Sequence, residues 1–193
     1  MAGGPVTRNT AAIGLGLAQV RIGASLTNIA QVGVILSDSD SIGSLATTKF
    51  MGNTEFWEHE SGFPLKKDMS IPIREDAAME VTFEELSPYN LALARGIDPV
   101  AYSKTAFSGE IKLGGLSSPD YIRMEAVYTY PDGSTTMNIV FPRAQVTSSM
   151  ELDLQKEDNA KPVITIGSKQ ASSSVSGGHS AWDTMPLGRI YWA

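Results

Sequence analysis

The chain has no cysteine, only two histidines, and no apolar run approaching the ~18 residues of a membrane-spanning helix. Without cysteine there is no disulfide framework, no thiolate nucleophile and no cysteine-based zinc site. His59 and His179 fall in a charged stretch and a Ser/Gly stretch, and neither has metal-ligand spacing to a partner. Positive charge is also short: 15 Lys and Arg stand against 21 Asp and Glu, for a net charge of −6 and no basic stripe. A protein that grips nucleic acid needs clustered cations, so that class is disfavoured, whereas a surface past which nucleic acid slides is not. The opening MAGGPVTRNT lacks the basic region and apolar run of a signal peptide. No Asn-X-Ser/Thr sequon, Gly-X-Ser-X-Gly elbow or phosphate-binding loop occurs. The expectation is a protein made in a cytosol, binding no membrane by itself.

What is present is β pattern with one well-signed helix. Met79, Val81 and Phe83 alternate with Glu80, Thr82 and Glu84, the period of a half-buried strand. Ser87 then offers a helix N-cap, and Pro88 suits the first helical position. Arg95 complements the dipole in the last turn, and Gly96 suits the position after it. The spacing predicts a helix over 88–95, two turns long and stable only if something packs on it. Leu86, Tyr89, Leu93 and Ile97 form one face. Leu91, Ala92 and Ala94 leave almost no polar face opposite, which suggests burial between the chain's own sheet and a second subunit. The plainer alternative is a helix tucked wholly into its own core.

The 193 residues suit one domain with extensions. Residues 1–17 read as an N-terminal arm, 18–167 as the β domain, and 168–193 as a flexible Ser/Gly linker with a C-terminal arm. Strand patterns lie at Val20–Ile22, Ile29–Leu36, Phe107–Leu113, Met150–Leu154 and Val163–Ile166. The clearest hairpin runs from Ile122 to Tyr130, turns at Pro131–Asp132–Gly133 and returns through Met137, Ile139 and Phe141. Pro142 is expected to end that strand or mark an edge. Between Ser37 and Lys67 lies a long polar, glycine-bearing loop, a length expected to be functional or partly paired. Phe56, Trp57 and Phe63 within it need either their own domain or a neighbouring chain to pack on. Trp182 and Trp192, after the linker, read as anchors of a docking arm. Seven to nine strands and one short helix indicate a mainly β fold: an antiparallel sandwich or partial barrel with a flanking helix.

Each hint of chemistry has a blander reading. Gly14-Leu15-Gly16 lacks the third glycine and preceding strand of a dinucleotide loop. Asp38, Asp40 and Gly43 imitate the start of a calcium loop, but Ile42 and Lys49 stand where oxygen ligands belong, leaving at most a weak cation site. Glu80, Glu84 and Glu85 read as a solvated face. No catalytic, cofactor-binding or metal-binding set emerges, and the expectation is a non-enzymatic protein without cofactor.

The order of EELSPYNLALARG, a following strand, FPRAQVTSSMELDL with its Pro142-Arg143-Ala144, and KPVITI resembles the major tail tube proteins of long-tailed bacteriophages. The resemblance covers about residues 20–170. Ser37–Lys67 matches the extended hairpin by which tube subunits reach the next ring, whereas the chain after Gly167 has no clear counterpart. The resemblance implies a virion protein assembled in the host cytoplasm into hexameric rings. Their strands join an inter-subunit β-barrel, and stacked rings form the conduit for genome ejection. Its partners would be copies of itself and other tail proteins, such as tape measure, terminator and baseplate, with DNA in transient, non-specific passage. An acidic lumen would repel phosphate, in keeping with the net charge. Subunit-interface candidates are Phe56, Trp57, Phe63, Leu91, Ala94, Trp182 and Trp192. Two alternatives stay open: a related ring-forming tube, hub or terminator protein of a contractile injection system, and a monomeric β-barrel that stacks a ligand or glycan on Trp57, Trp182 and Trp192.

Overall fold

Alternating strands joined by a tight turn set the centre of the molecule. The computed structural model describes residues 16, 18–25, 28–115, 118–154 and 160–193. The strands are β1 (Gln19–Ala24), β2 (Leu45–Ser61), β3 (Lys66–Phe83), β4 (Ile122–Thr129), β5 (Thr136–Val146), β6 (Val163–Ser168) and β7 (Arg189–Trp192), with helix α1 at Pro88–Arg95. β4 and β5 form the expected hairpin. Its turn is closed by the Gly133 amide on the Tyr130 carbonyl and by the Asp132 carboxylate, which accepts from the Ser134 and Thr135 amides. All seven strands join one antiparallel sheet, in the order β1-β4-β5-β6-β3-β2, with β7 added beside β5; the sheet does not close into a barrel. The N-terminal arm expected at 1–17 lies outside the described residues, apart from Gly16.

One face of the sheet carries the main core. Val20, Ile22, Met79, Val81, Phe83, Met124, Ala126, Phe141, Ile164 and Ile166 meet there beneath Tyr89, Leu93 and Ala94 of α1. The helix has the bounds its caps predict. The Ser87 hydroxyl accepts from the Asn90 amide at 3.2 Å, and Gly96 takes the left-handed φ of 79° that a side chain would resist.

The opposite face is covered too. The C-terminal segment folds back so that Trp182, fully buried, packs with Ala171 and Val140, and Ile29, Val32, Val34 and Tyr191 close around them. This corrects the expected flexible linker and docking arm. Residues 169–180 form turns held together by the Ala171 amide on the Pro186 carbonyl and the His179 amide on the Ala171 carbonyl, and tied to β5 by the Lys169 amide on the Arg143 carbonyl and the Arg143 guanidinium on the Ser176 carbonyl. Ser173 binds the Asp183 carboxylate, and that bonding holds the Asp183 carboxyl below its usual pKa. Serine and glycine here serve tight packing rather than slack: a Cβ at Gly178 would run into the Ser172 carbonyl.

Three expected strands do not form among the described residues. Ile29–Leu36 crosses the second face as an irregular segment, and Phe107–Leu113 and Met150–Leu154 are likewise without strand structure. The first has a clear physical cause. Arg123 and Glu125, both fully buried, form an ion pair at 2.7 Å on β4 and take over that segment's backbone bonding. The guanidinium donates to the carbonyls of Asn28, Gln31 and Gly33, and the carboxylate accepts from the amides of Ile35 and Leu36. Two charges thus do the work of a neighbouring strand. Pro142 neither ends its strand nor lies at an edge. It sits in β5 where the register slips between Ile122↔Ala144 and Met124↔Phe141, so the bulge absorbs its missing donor.

Candidate assembly surface

The segment read as a long loop is mostly strand, and its length creates the most unusual surface of the molecule. β2 and β3 run for 17 and 18 residues, but β6 pairs β3 only across Ala78–Thr82. Beyond that point the two strands have only each other. They pair in register from Gly52↔Ala77 out to Ser61↔Lys66, with bulges near Ile73 and Asp68. Every residue from 52 to 76 is exposed. Ten residues of strand at about 3.3 Å each make a two-stranded ribbon projecting roughly 33 Å from the body. Two strands alone are only marginally stable in water, so a ribbon of this length needs further contacts to keep one shape.

Its side chains are not those of a solvated ribbon. The pairs Trp57↔Ile71 and His59↔Met69 put four large side chains on one face, with the Trp57 and His59 rings stacked 5.8 Å apart. Phe56 lies opposite Pro72 on the other face, beside Glu58, which pairs with Lys67. Trp57 is 48% exposed and Phe56 53%, while Phe63 and Leu65 stand out at the tip around Gly62. Exposed apolar groups in this concentration mark interaction sites. The ribbon also leaves the outer edge of β2, and the distal edge of β3, without a partner strand among the described residues. Open edges are templates for pairing with another chain.

The other interface candidates are placed very differently. Trp182 is inside the second core, beyond a partner's reach, because its indole NH donates to the Ile29 carbonyl and its ring fills the space beneath the 28–36 segment. Ala94 is buried in the main core, whereas Leu91, like Pro88 and Arg95, is half-buried. Residues 97–104 and Pro119 of the same chain pack around α1. The Tyr89 amide donates to the Ser103 carbonyl, the Lys104 ammonium lies 4.4 Å from the Tyr89 ring centre, and Pro119 packs on Gly96. The helix is therefore core rather than seam, the plainer of the two sequence readings. Trp192 remains exposed on β7, its indole NH on the Tyr130 hydroxyl at 3.0 Å. Phe56, Trp57 and Phe63 are thus brought together on one projecting element, while Leu91, Ala94, Trp182 and Trp192 are not part of it.

Two buried polar residues of α1 are engaged within the fold. Burial holds the Tyr89 phenol well above its usual pKa, so it stays protonated and donates to the Ile22 carbonyl at 3.1 Å. Asn90 bridges the Ile42 and Glu85 carbonyls. A hollow of about 410 Å³ beside Tyr89 contains Lys104, whose pKa is lowered by burial and whose ammonium already donates to the Ser39 carbonyl. Asp38 is paired with Arg21, and Asp40 accepts from Ser37, so both carboxylates of the calcium-like stretch are engaged within the protein. Among the described residues no group of three His, Asp or Glu is arranged to hold a metal ion, and no helix is long and apolar enough to cross a membrane. At the root of the ribbon a small apolar cleft of about 140 Å³ lies among Phe50, Ala77, Phe141, Leu187 and Ile190.

No family model matches the sequence, and no curated protein matches it. Two solved assemblies contain chains of similar overall course. One is the sheath–tube complex, in its extended state, of the extracellular contractile injection system PVC, with a TM-score of 0.45 and 13% identity over 98% of this chain and 99% of that one. The other is the tube-terminating cap of the anti-feeding prophage, with a TM-score of 0.41 and 11% identity over 100% and 99%. Both are similarities of coarse fold, and no residue's role is taken from either.

Proposed function

We propose that the chain is a non-enzymatic structural subunit of a phage-tail-like tube, built to assemble with copies of itself. The observation that carries this reading is the ribbon of residues 52–76, exposed throughout and armed with Phe56, Trp57, Phe63, Met69 and Ile71. A marginal two-stranded element with an apolar surface and open edges is costly to leave in water and becomes stable once neighbouring ribbons pair with it. Pairing around a closed ring removes every edge, as in a barrel. Six subunits per ring, rings stacked into a tube, and a lumen through which DNA passes without being held are the finer parts of the proposal. The sequence resemblance motivates them, and the net charge of −6 is consistent with a surface that does not retain phosphate. In this reading the protein resides in a virion or virion-like particle, with other tail proteins at the tube's ends and interior.

Negative-stain microscopy and light scattering of the purified protein across a concentration series test the reading. Rings or stacked tubes are expected. A strictly monomeric species at the highest concentrations overturns it, and rings that never stack point instead to a hub or terminator protein.

A further inference from the structure

The segment Phe107–Leu113 alternates apolar and polar residues like a strand: Phe107, Gly109, Ile111 and Leu113 against Ser108, Glu110 and Lys112. Among the described residues it pairs with no strand. None of residues 107–113 makes a backbone hydrogen bond to another described residue, Phe107 is 84% exposed and Leu113 77%. The segment is nevertheless held at both ends. On one side the Ser103 hydroxyl accepts from the Thr105 and Ala106 amides, and the Ser103 carbonyl accepts from Tyr89. On the other the Asp120 amide donates to the Gly96 carbonyl, and Gln145 donates to the Pro119 carbonyl. A strand-patterned segment moored at its ends and unpaired in its middle is a local preference that the isolated fold leaves unmet.

The same chain offers the complementary feature. The outer edge of β2 is an unpaired strand edge, and its projecting part, residues 52–61, contains Glu55, Glu58 and Glu60 and no Lys or Arg. Residues 107–113 contain Lys112 and Glu110, paired with each other, so the segment brings no net negative charge to that acidic edge. Seven residues of strand span about 23 Å, which fits within the roughly 33 Å of projecting edge.

We infer that residues 107–113 add as a strand to the outer edge of β2 on a second copy of this chain. This rests on the reading of the protein as a self-assembling subunit and names the partner surface for that assembly. Main-chain hydrogen bonds give the contact its strength, and the apolar face of Phe107, Ile111 and Leu113 joins the apolar face of the ribbon. Donor and acceptor lie at different places on one chain, so the contact is head-to-tail, the type that closes into rings.

Hydrogen exchange and cross-linking on the full-length chain test it. Amides of 107–113 are expected to exchange freely in dilute monomer and at least a hundredfold more slowly in the assembled state. Because the chain has no cysteine, copies bearing Glu110→Cys mixed with copies bearing Asn53→Cys, Glu55→Cys or Glu58→Cys should form a disulfide-linked dimer in at least one combination on assembly. Glu110→Pro removes a donor from the middle of the segment, where the monomer makes no use of it. Its thermal midpoint should match that of the parent chain, while the concentration needed for assembly rises at least tenfold. Rings that form with 107–113 still exchanging freely, or without any cross-link to β2, overturn this inference and leave the tube reading intact. Failure of the parent chain to assemble at any concentration overturns both.

Discussion

The body and the ribbon share one sheet and even the same strands, yet they solve opposite problems. In the body, β4 is buried on both faces, by α1 and the core on one side and by residues 28–36 and the C-terminal segment on the other. The charged groups of β4 are partnered within the chain, as a buried ion pair that takes over the backbone bonding of residues 28–36. Along the ribbon, β2 and β3 keep large apolar side chains in solvent and two edges unpaired. Apart from the exposed Phe107–Leu113 segment, the body covers its apolar faces within the chain, and the ribbon does not. Stability should therefore be lost by substitutions in the body and assembly by substitutions in the ribbon.

The comparison predicts effects of graded size. Glu125→Ala strands the Arg123 guanidinium in the interior and frees the amides of Ile35 and Leu36. Breaking a buried pair this way costs about 3–5 kcal/mol, read as a lower urea midpoint, with hydrogen exchange opening first in 28–36. A midpoint within error of the parent would mean that the pair is not the staple described. Trp182→Ala should cost about 3–5 kcal/mol as well, because a large aromatic side chain leaves a cavity in the second core. Unchanged stability with lost assembly would return the C-terminal segment to the role of a docking arm. Tyr89→Phe removes one hydroxyl donor to the Ile22 carbonyl and should cost about 1 kcal/mol. Trp57→Ser combined with Ile71→Ser should alter monomer stability least, within about 0.5 kcal/mol, while abolishing assembly. If that double variant unfolds the chain, the division between body and ribbon fails.

Much of the fold was legible because local rules were decisive. Ser87, Pro88 and Gly96 marked both ends of α1, and Pro131–Asp132–Gly133 marked the β4–β5 turn, since caps and turns depend on a few neighbouring residues. Residue pattern marked the ribbon as a long, functional or partly paired segment whose aromatics needed a home, and the family resemblance implied an extended hairpin there. Its strand character was obscured by charges and glycines that suit a solvated surface. Ile29–Leu36 misled for a different reason: its apolar residues are buried, but against a tryptophan some 150 positions away and over charges on another strand. A signal was available in Arg123 and Glu125, two opposite charges alternating within a strand that is otherwise largely apolar. They point to the face opposite the main core, where charge persists only if it is paired.

By itself the sequence determined the mainly β character, the single short helix with its ends, the central hairpin, and the absence of cysteine chemistry. All of these follow from residue periodicity and from steric limits on individual residues. The tertiary structure decided which apolar faces are core and which are left for others. The helix that looked like a seam is packed by the chain's own residues 97–104 and Pro119, and the tryptophan that looked like an anchor is inside. Burial depends on what the rest of the chain brings to each face. Periodicity shows that a face must be covered, and only the folded chain shows whether it covers that face itself, as it does for α1 and not for the ribbon.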